Sequence, residues 1–387
     1  MTTIRDIFTA YAPEYIARHP HLPTAHHKAI DALGRCRTGA YGDSLSACHN
    51  CGQHHRVNHA CGNRHCPQCQ HHKAQLWLHN QLTKQLPGPY FLITFTVPEA
   101  LRPCCRSHPT LAYQALFKAS SEALKRLAKD PRFLGTTLPG FTGILHTWGR
   151  QLQYHPHIHS IVPGGGLSDN RTAWLPSRAN FSVPALSPIY RAIFAEEMRK
   201  AGQRERIEPQ VWATPWNGHR QATPNGATSL PYLAPYVCTV AIFNRRIVGL
   251  QERTVTFTSR TPGSSRPRTT SLDVLECIRR FLQHVLPSGF MQVRHFGLLR
   301  SSCRIKTDTI RPLITWQTGT ILERPRAPAN SSAAVACPNC GAQLLVVTRV
   351  LPCQTACCDT GYEAGDRTSF AFSPMSLKGP GNGPFAP

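Results

Sequence analysis

The chain has 387 residues, with 43 Lys and Arg against 20 Asp and Glu, giving a formal charge of +23. That length allows two or three domains and at least one sizeable core, and that charge points to a polyanionic partner, nucleic acid first. No run approaches the roughly 18 apolar residues of a membrane span, and no basic amphipathic helix stands out, which argues against a membrane role.

The first stretch, "MTTIRDIFTAYAPEY", has no apolar core flanked by basic residues, so a cytosolic location is expected. In a reducing compartment the 16 cysteines read as metal ligands or buried thiols before disulfides. Residues 1–85 are rich in His and Cys and poor in apolar periodicity, and a small domain of that kind needs a staple. "CHNCGQHHRVNHACGNRHCPQCQ" supplies one, through Cys48-x-x-Cys51 and Cys66-x-x-Cys69. Each tight turn offers two thiolates, and four fit the tetrahedral demand of Zn²⁺. Cys61, His65 and Cys36 lie close enough in sequence to substitute as ligands or to make a second site.

"PYFLITFTVP", Pro89 to Pro98, reads as a buried strand. "TLAYQALFKASSEALKRLAKDP" follows as a helix, capped by Thr110 and stopped at Asp130-Pro131. "GILHTW" and "HPHIHSIV" read as two strands of a hairpin. On a strand His155, His157 and His159 project from one face, with Ile158 on the other, and two imidazoles so placed make a chelate for a divalent ion. Gly164 to Gly166 would let backbone approach closely at the strand end.

Residues 168–230 give no clear assignment, and "SLPYLAPYVCTVAIFNRRIVGL" runs from a short helix into a strand. Tyr232 and Tyr236 there are four apart, one face of a helix, with Pro235 between them. "TVTFTSRTPGSSRPRTTS" looks loop-like. From Thr270 a helix is expected, with Val274, Leu275, Ile278, Leu282 and Val285 on one face and Pro287-Ser288-Gly289 at its end. Past residue 325 the chain turns Pro-, Ala- and Ser-rich. Cys337-Pro-Asn-Cys340-Gly is a further half-knuckle, a second zinc site if Cys353, Cys357 and Cys358 complete it.

"FLITFTVP", "LHTW", "HPHIHSIVPGGGL", "YLAPYV" with "AIFNRRI", and "FLQHVLPSGFMQVRHFGLL" occur in that order, after "CGNRHCPQCQ". Together they resemble the rolling-circle insertion-sequence transposases of the IS91 type. These belong to the wider class of HUH (His-hydrophobe-His) nucleases, alongside replication initiators, relaxases and Helitrons. The resemblance runs from roughly Cys36 to Leu313, plus "CPNCG".

It implies that His157 and His159 hold Mg²⁺ or Mn²⁺, that Tyr232 and Tyr236 are nucleophiles, and that the cysteine segment binds structural zinc. A third metal ligand would be His146, if "GILHTW" pairs antiparallel with the histidine strand, or else His155. The family cleaves one DNA strand at single-stranded element ends, keeps the 5′ end as phosphotyrosine and rejoins strands by the reverse reaction. A replication initiator or relaxase of the same class is the alternative, or a catalytically decayed zinc-finger DNA-binding protein.

The implied fold is α+β. A zinc domain (1–85) would precede an antiparallel-sheet nuclease domain with helices on one face (86–265), a helical region (266–325) and a partly disordered tail (326–387). The implied place is the nucleoid in the bacterial cytoplasm, and nothing in the sequence sets an oligomeric state.

Overall fold

The computed structural model describes residues 2–177, 182–214, 216, 218–223, 230, 242–260, 266–322, 336–342 and 345–351. In chain order the elements begin with α1 (Ile4–Arg18), α2 (Thr24–Gly34), β1 (Asp43–Cys48), β2 (His54–Asn58) and α3 (Gln70–Thr83). Next come β3 (Tyr90–Thr96), α4 (Arg102–Ser107), α5 (Pro109–Lys129), β4 (Leu138–Trp148), β5 (Tyr154–Pro163), β6 (Gly165–Leu167) and β7 (Trp174–Pro176). Then follow α6 (Val183–Lys200), α7 (Pro209–Ala213), β8 (Gly218–Thr223), β9 (Ile247–Gln251), β10 (Thr254–Arg260) and β11 (Pro267–Asp273). The last are α8 (Val274–Leu282), β12 (Val293–Gly297), α9 (Thr307–Thr318) and β13 (Leu345–Leu351). The fold is α+β, and no helix among the described residues is long and apolar enough to cross a membrane.

The central sheet runs β7-β6-β4-β5-β3-β8, with β12 also on β4, and all its pairings are antiparallel. β3 is apolar on both sides because both of its faces are covered. Phe91, Ile93 and Phe95 join Ile158, Phe141 and Leu145 under α5 and α6, where Leu116, Phe117, Tyr190 and Phe194 pack. Tyr90 and Leu92 face the other way and meet Ile144, Ile161 and Leu230, closed over by Trp77, Leu78 and Leu82 of α3. The long helices α5 and α6 thus share one face. The opposite face, which carries the histidines, receives a helix from the cysteine-rich segment.

A second core joins the beginning of the chain to its later part. α1 starts at a capping box, Thr3 accepting from the Asp6 amide while the Asp6 carboxylate accepts from the Thr3 amide. It buries Ile4, Ile7, Phe8, Ala12 and Tyr15 against α8 and the β9–β11 sheet, with Phe8 edge-on to Phe281 at 5.2 Å between ring centroids.

Several expectations change. The helix after the buried strand starts at Pro109, not at a Thr110 cap; proline suits a first turn because its missing N–H would be unpaired there. "TVTFTSR" and "PRTTSLD" are strands rather than loop. Consequently the helix expected from Thr270 starts at Val274, where Asp273 caps the amides of Leu275 and Glu276, and it ends at Leu282. The unassigned stretch holds β7, α6, α7 and β8. The glycines approach closely as expected: a Cβ on Gly165 would sit 2.4 Å from the Trp174 indole nitrogen. Cys353, Cys357, Cys358 and the final "KGPGNGPFAP" lie outside the described residues.

Candidate metal and nuclease site

The site is built by the β4–β5 hairpin with β3 alongside. Register sets His146 opposite His157 and Ile144 opposite His159, while on the other edge Thr94 pairs with His159 and Thr96 with His157. Alternation then puts His146, His157, His159 and Thr94 on one face.

The three imidazoles converge, their ligand nitrogens all within 4.8 Å of one another and the Nε2 atoms of His157 and His159 3.1 Å apart. Neighbouring ligands on an octahedral ion with bonds of 2.0–2.1 Å stand about 3 Å apart, so the pair fits one divalent cation.

The opposite edges of the two rings are fixed. His157 Nδ1 is 2.7 Å from the His155 carbonyl, and His159 Nδ1 is 2.9 Å from Thr94 Oγ1. With Nδ1–H donating to that carbonyl, the His157 Nε2 lone pair points into the cluster. Burial, then the neighbouring imidazoles, hold His146 well below the ordinary histidine range; burial and His159 do the same for His157. Both rings are therefore neutral near pH 7 and able to ligate.

Trp148 stacks on His146 with centroids 5.0 Å apart and planes 15° from parallel. Of the two third ligands weighed from sequence, the structure brings in His146. The His155 ring lies 5.0 Å from that of His157 but is not among the three that converge. Thr94 was not singled out from sequence; its signal was its place in a threonine-interleaved strand. Tyr232 and Tyr236 lie outside the described residues, as does Pro235 between them. Leu230, two positions before Tyr232, is buried in the apolar cluster on the histidine face.

The cysteines form two groups, and the two N-terminal knuckles do not share one. Cys66 and Cys69 stand with Cys36 and Cys61; Cys48 and Cys51 stand with Cys337 and Cys340. In the first group the Sγ separations are 3.5 Å for Cys36–Cys69, 3.5 Å for Cys61–Cys69 and 3.6 Å for Cys36–Cys66. Thiolates around one zinc at about 2.3 Å stand ~3.8 Å apart, so the group fits that ion. A hydrogen bond from Cys66 draws the Cys61 thiol below its ordinary range, while the same contact and burial push Cys66 up. His65 is not a member: its Nε2 accepts the Leu286 amide at 3.2 Å.

A family model described as "Transposase zinc-binding domain" matches residues 7–97, and one described as "Putative transposase" matches 140–306. A relative from Sinorhizobium fredii, "Putative transposase y4qJ", is 34% identical over 330 residues, which cover 78% of this chain and 81% of that protein. The "Transposase for insertion sequence element IS801" of Pseudomonas savastanoi pv. phaseolicola is 26% identical over 316 residues, 76% of each chain. No solved structure matches.

Proposed function

The chain belongs to the IS91-type insertion-sequence transposases, DNA-processing enzymes with a zinc-binding domain, and from that premise we propose that it nicks and rejoins single-stranded element ends through a 5′-phosphotyrosine. His146, His157 and His159 hold Mg²⁺ or Mn²⁺, and their convergence on one sheet face is the observation that carries the reading. The bound cation supplies charge neutralisation at the scissile phosphate. A phenolic oxygen of Tyr232 or Tyr236 loses its proton to solvent and attacks phosphorus, the bond to the 3′ oxygen breaks, and that oxygen takes a proton from solvent and leaves as the 3′ hydroxyl. The 5′ phosphate stays on the tyrosine, and attack by a 3′ hydroxyl reverses the step. Leu230 supports the reading, since it packs in the apolar cluster on the histidine face and stands two positions before Tyr232 in the sequence.

The test is a denaturing gel of 5′- and 3′-labelled single-stranded ends incubated with the protein and Mn²⁺. A protein-linked label on the 3′ fragment is expected, lost in the double variant Tyr232→Phe/Tyr236→Phe. An adduct that persists in that variant, or strand cleavage with no adduct, overturns the proposal.

A further inference from the structure

The loops Cys48–Cys51 and Cys337–Cys340 are two copies of one turn. Both read Cys-x-Asn-Cys-Gly, whereas the loop at Cys66 has glutamine after its second cysteine. The glycine takes the left-handed conformation in each, φ 68° at Gly52 and 71° at Gly341. Gly52 N donates to the Cys48 carbonyl at 2.9 Å, and Gly341 N to the Cys337 carbonyl at 2.8 Å. Cys48 N returns to the Gln53 carbonyl at 2.9 Å, and Cys337 N to the Ala342 carbonyl at 2.8 Å. Such a knuckle turns two thiols toward one point.

The fold sets the two knuckles face to face. Cys48 Sγ lies 3.6 Å from Cys340 Sγ and Cys51 Sγ 3.6 Å from Cys337 Sγ, with all four sulfurs within 4.8 Å. Those separations suit a tetrahedron about zinc and are far beyond the ~2.05 Å of a disulfide. Asn339 Nδ2 donates to Cys51 Sγ at 3.8 Å, and His55 Nε2 lies 3.2 Å from Cys337 Sγ, where in the Nε2–H tautomer it donates to a thiolate. Behind the knuckles, β1 pairs with β2 on one edge and on the other with β13, from Cys48↔Leu345 to Asp43↔Leu351.

We propose that Cys48, Cys51, Cys337 and Cys340 bind a second Zn²⁺, which assembles one zinc ribbon from segments at opposite ends of the sequence. The matched zinc-binding region stops at residue 97, so half of this ligand set lies outside it. The site is independent of the Cys36, Cys61, Cys66 and Cys69 group, and of the nuclease chemistry. It makes the β1–β2 hairpin depend on residues 337–351: without them the hairpin loses one strand and two of its four ligands.

The test uses the zinc-loaded full-length protein. Alkylation followed by peptide mass mapping is expected to find Cys48, Cys51, Cys337 and Cys340 protected relative to Cys303, which is in neither group, and released together by a chelator. Elemental analysis is expected to give two zinc per chain, falling to one in Cys337→Ser/Cys340→Ser and to one in Cys61→Ser/Cys69→Ser. The idea is overturned if Cys337 and Cys340 react as fast as Cys303 in the loaded wild-type protein, or if the Cys337→Ser/Cys340→Ser protein keeps two zinc. The mapping needs no variant, so a variant that fails to fold leaves the decision to it.

Discussion

Thr94 meets the candidate metal site through His159, and that makes it informative. Its hydroxyl is 2.9 Å from His159 Nδ1, where it fixes the ring so that Nε2 faces His157. Losing a partner of this kind typically costs about 10–100-fold in metal affinity or activity. Thr94→Val keeps the strand shape and removes that contact. The Mn²⁺ concentration for half-maximal cleavage should rise by about 10-fold or more; an unchanged value means the hydroxyl does not position the ring.

The two candidate third ligands separate just as cleanly. His146→Ala should abolish Mn²⁺-dependent cleavage while His155→Ala retains it, because only His146 converges with the pair. The histidine pair could be read from sequence, since alternation along a strand decides which side chains share a face. His146 followed from hairpin pairing, and register alone preferred it to His155.

Buried His284 makes a prediction of a different kind. Its ring meets Thr147 Oγ1 at 3.2 Å and the Leu152 carbonyl at 3.1 Å, and burial holds it down at about 4. The unfolded chain therefore takes up a proton near pH 6.5 that the folded chain refuses until about pH 4. Stability from this residue is complete above about pH 6.5 and is lost as pH falls toward 4, by up to about 3 kcal/mol. Urea midpoints for wild type and His284→Gln at pH 7.5 and 5 should show a smaller acid loss in the variant. Equal losses would mean that His284 is not what titrates.

Among the elements, α5 and β3 were legible because one period dominates each. The α5 stripe of Leu116, Phe117, Leu124 and Leu127 is helical, and β3 is apolar on both faces. β10 was also written in the chain, as Val255 and Phe257 buried between outward threonines, but the flanking Pro, Gly, Ser and Arg dominated the reading. β11 carries almost no apolar signal; it exists because β10 pairs with it from Thr254↔Asp273 to Arg260↔Pro267. α1 spaces its buried residues helically, yet Pro13 and the surrounding polar composition obscured it.

What α1 does is close the second core on α8. Phe281 is 1% exposed between Phe8 and the β10 side chains. Phe281→Ala should cost about 3–5 kcal/mol in denaturant unfolding. A cost below about 1 kcal/mol would show that α1 and α8 are not held together by this contact.

For the whole molecule, sequence reasoning had least purchase on contacts that span the chain. Knuckle spacing suggested one zinc site at Cys48, Cys51, Cys66 and Cys69, but the Cys48 loop meets a twin almost 300 residues later, at a sequence separation of 292 for Cys48 and Cys340. Local rules fix a turn; they do not say which turn it will face. Charge is the opposite case, a property of the whole that composition alone exposes. If every carboxylate neutralised one cation, +23 would remain, a surplus too large to be satisfied within the chain. Much of the affinity for a DNA strand should therefore come from counterion release, about 0.7 of a log unit of slope per neutralised phosphate on a single strand. A footprint of about six phosphates gives a log–log slope near −4 between about 50 and 200 mM salt, measurable by anisotropy with a labelled single-stranded end. A flat response would remove nucleic acid as the explanation of the charge. The same titration without a divalent cation should keep the salt slope but yield no cleavage, because phosphate contacts from Lys and Arg need no metal, whereas the proposed chemistry needs a cation held by His146, His157 and His159. Binding that vanished with the metal would mean that the histidine cluster, not the basic surface, holds the strand.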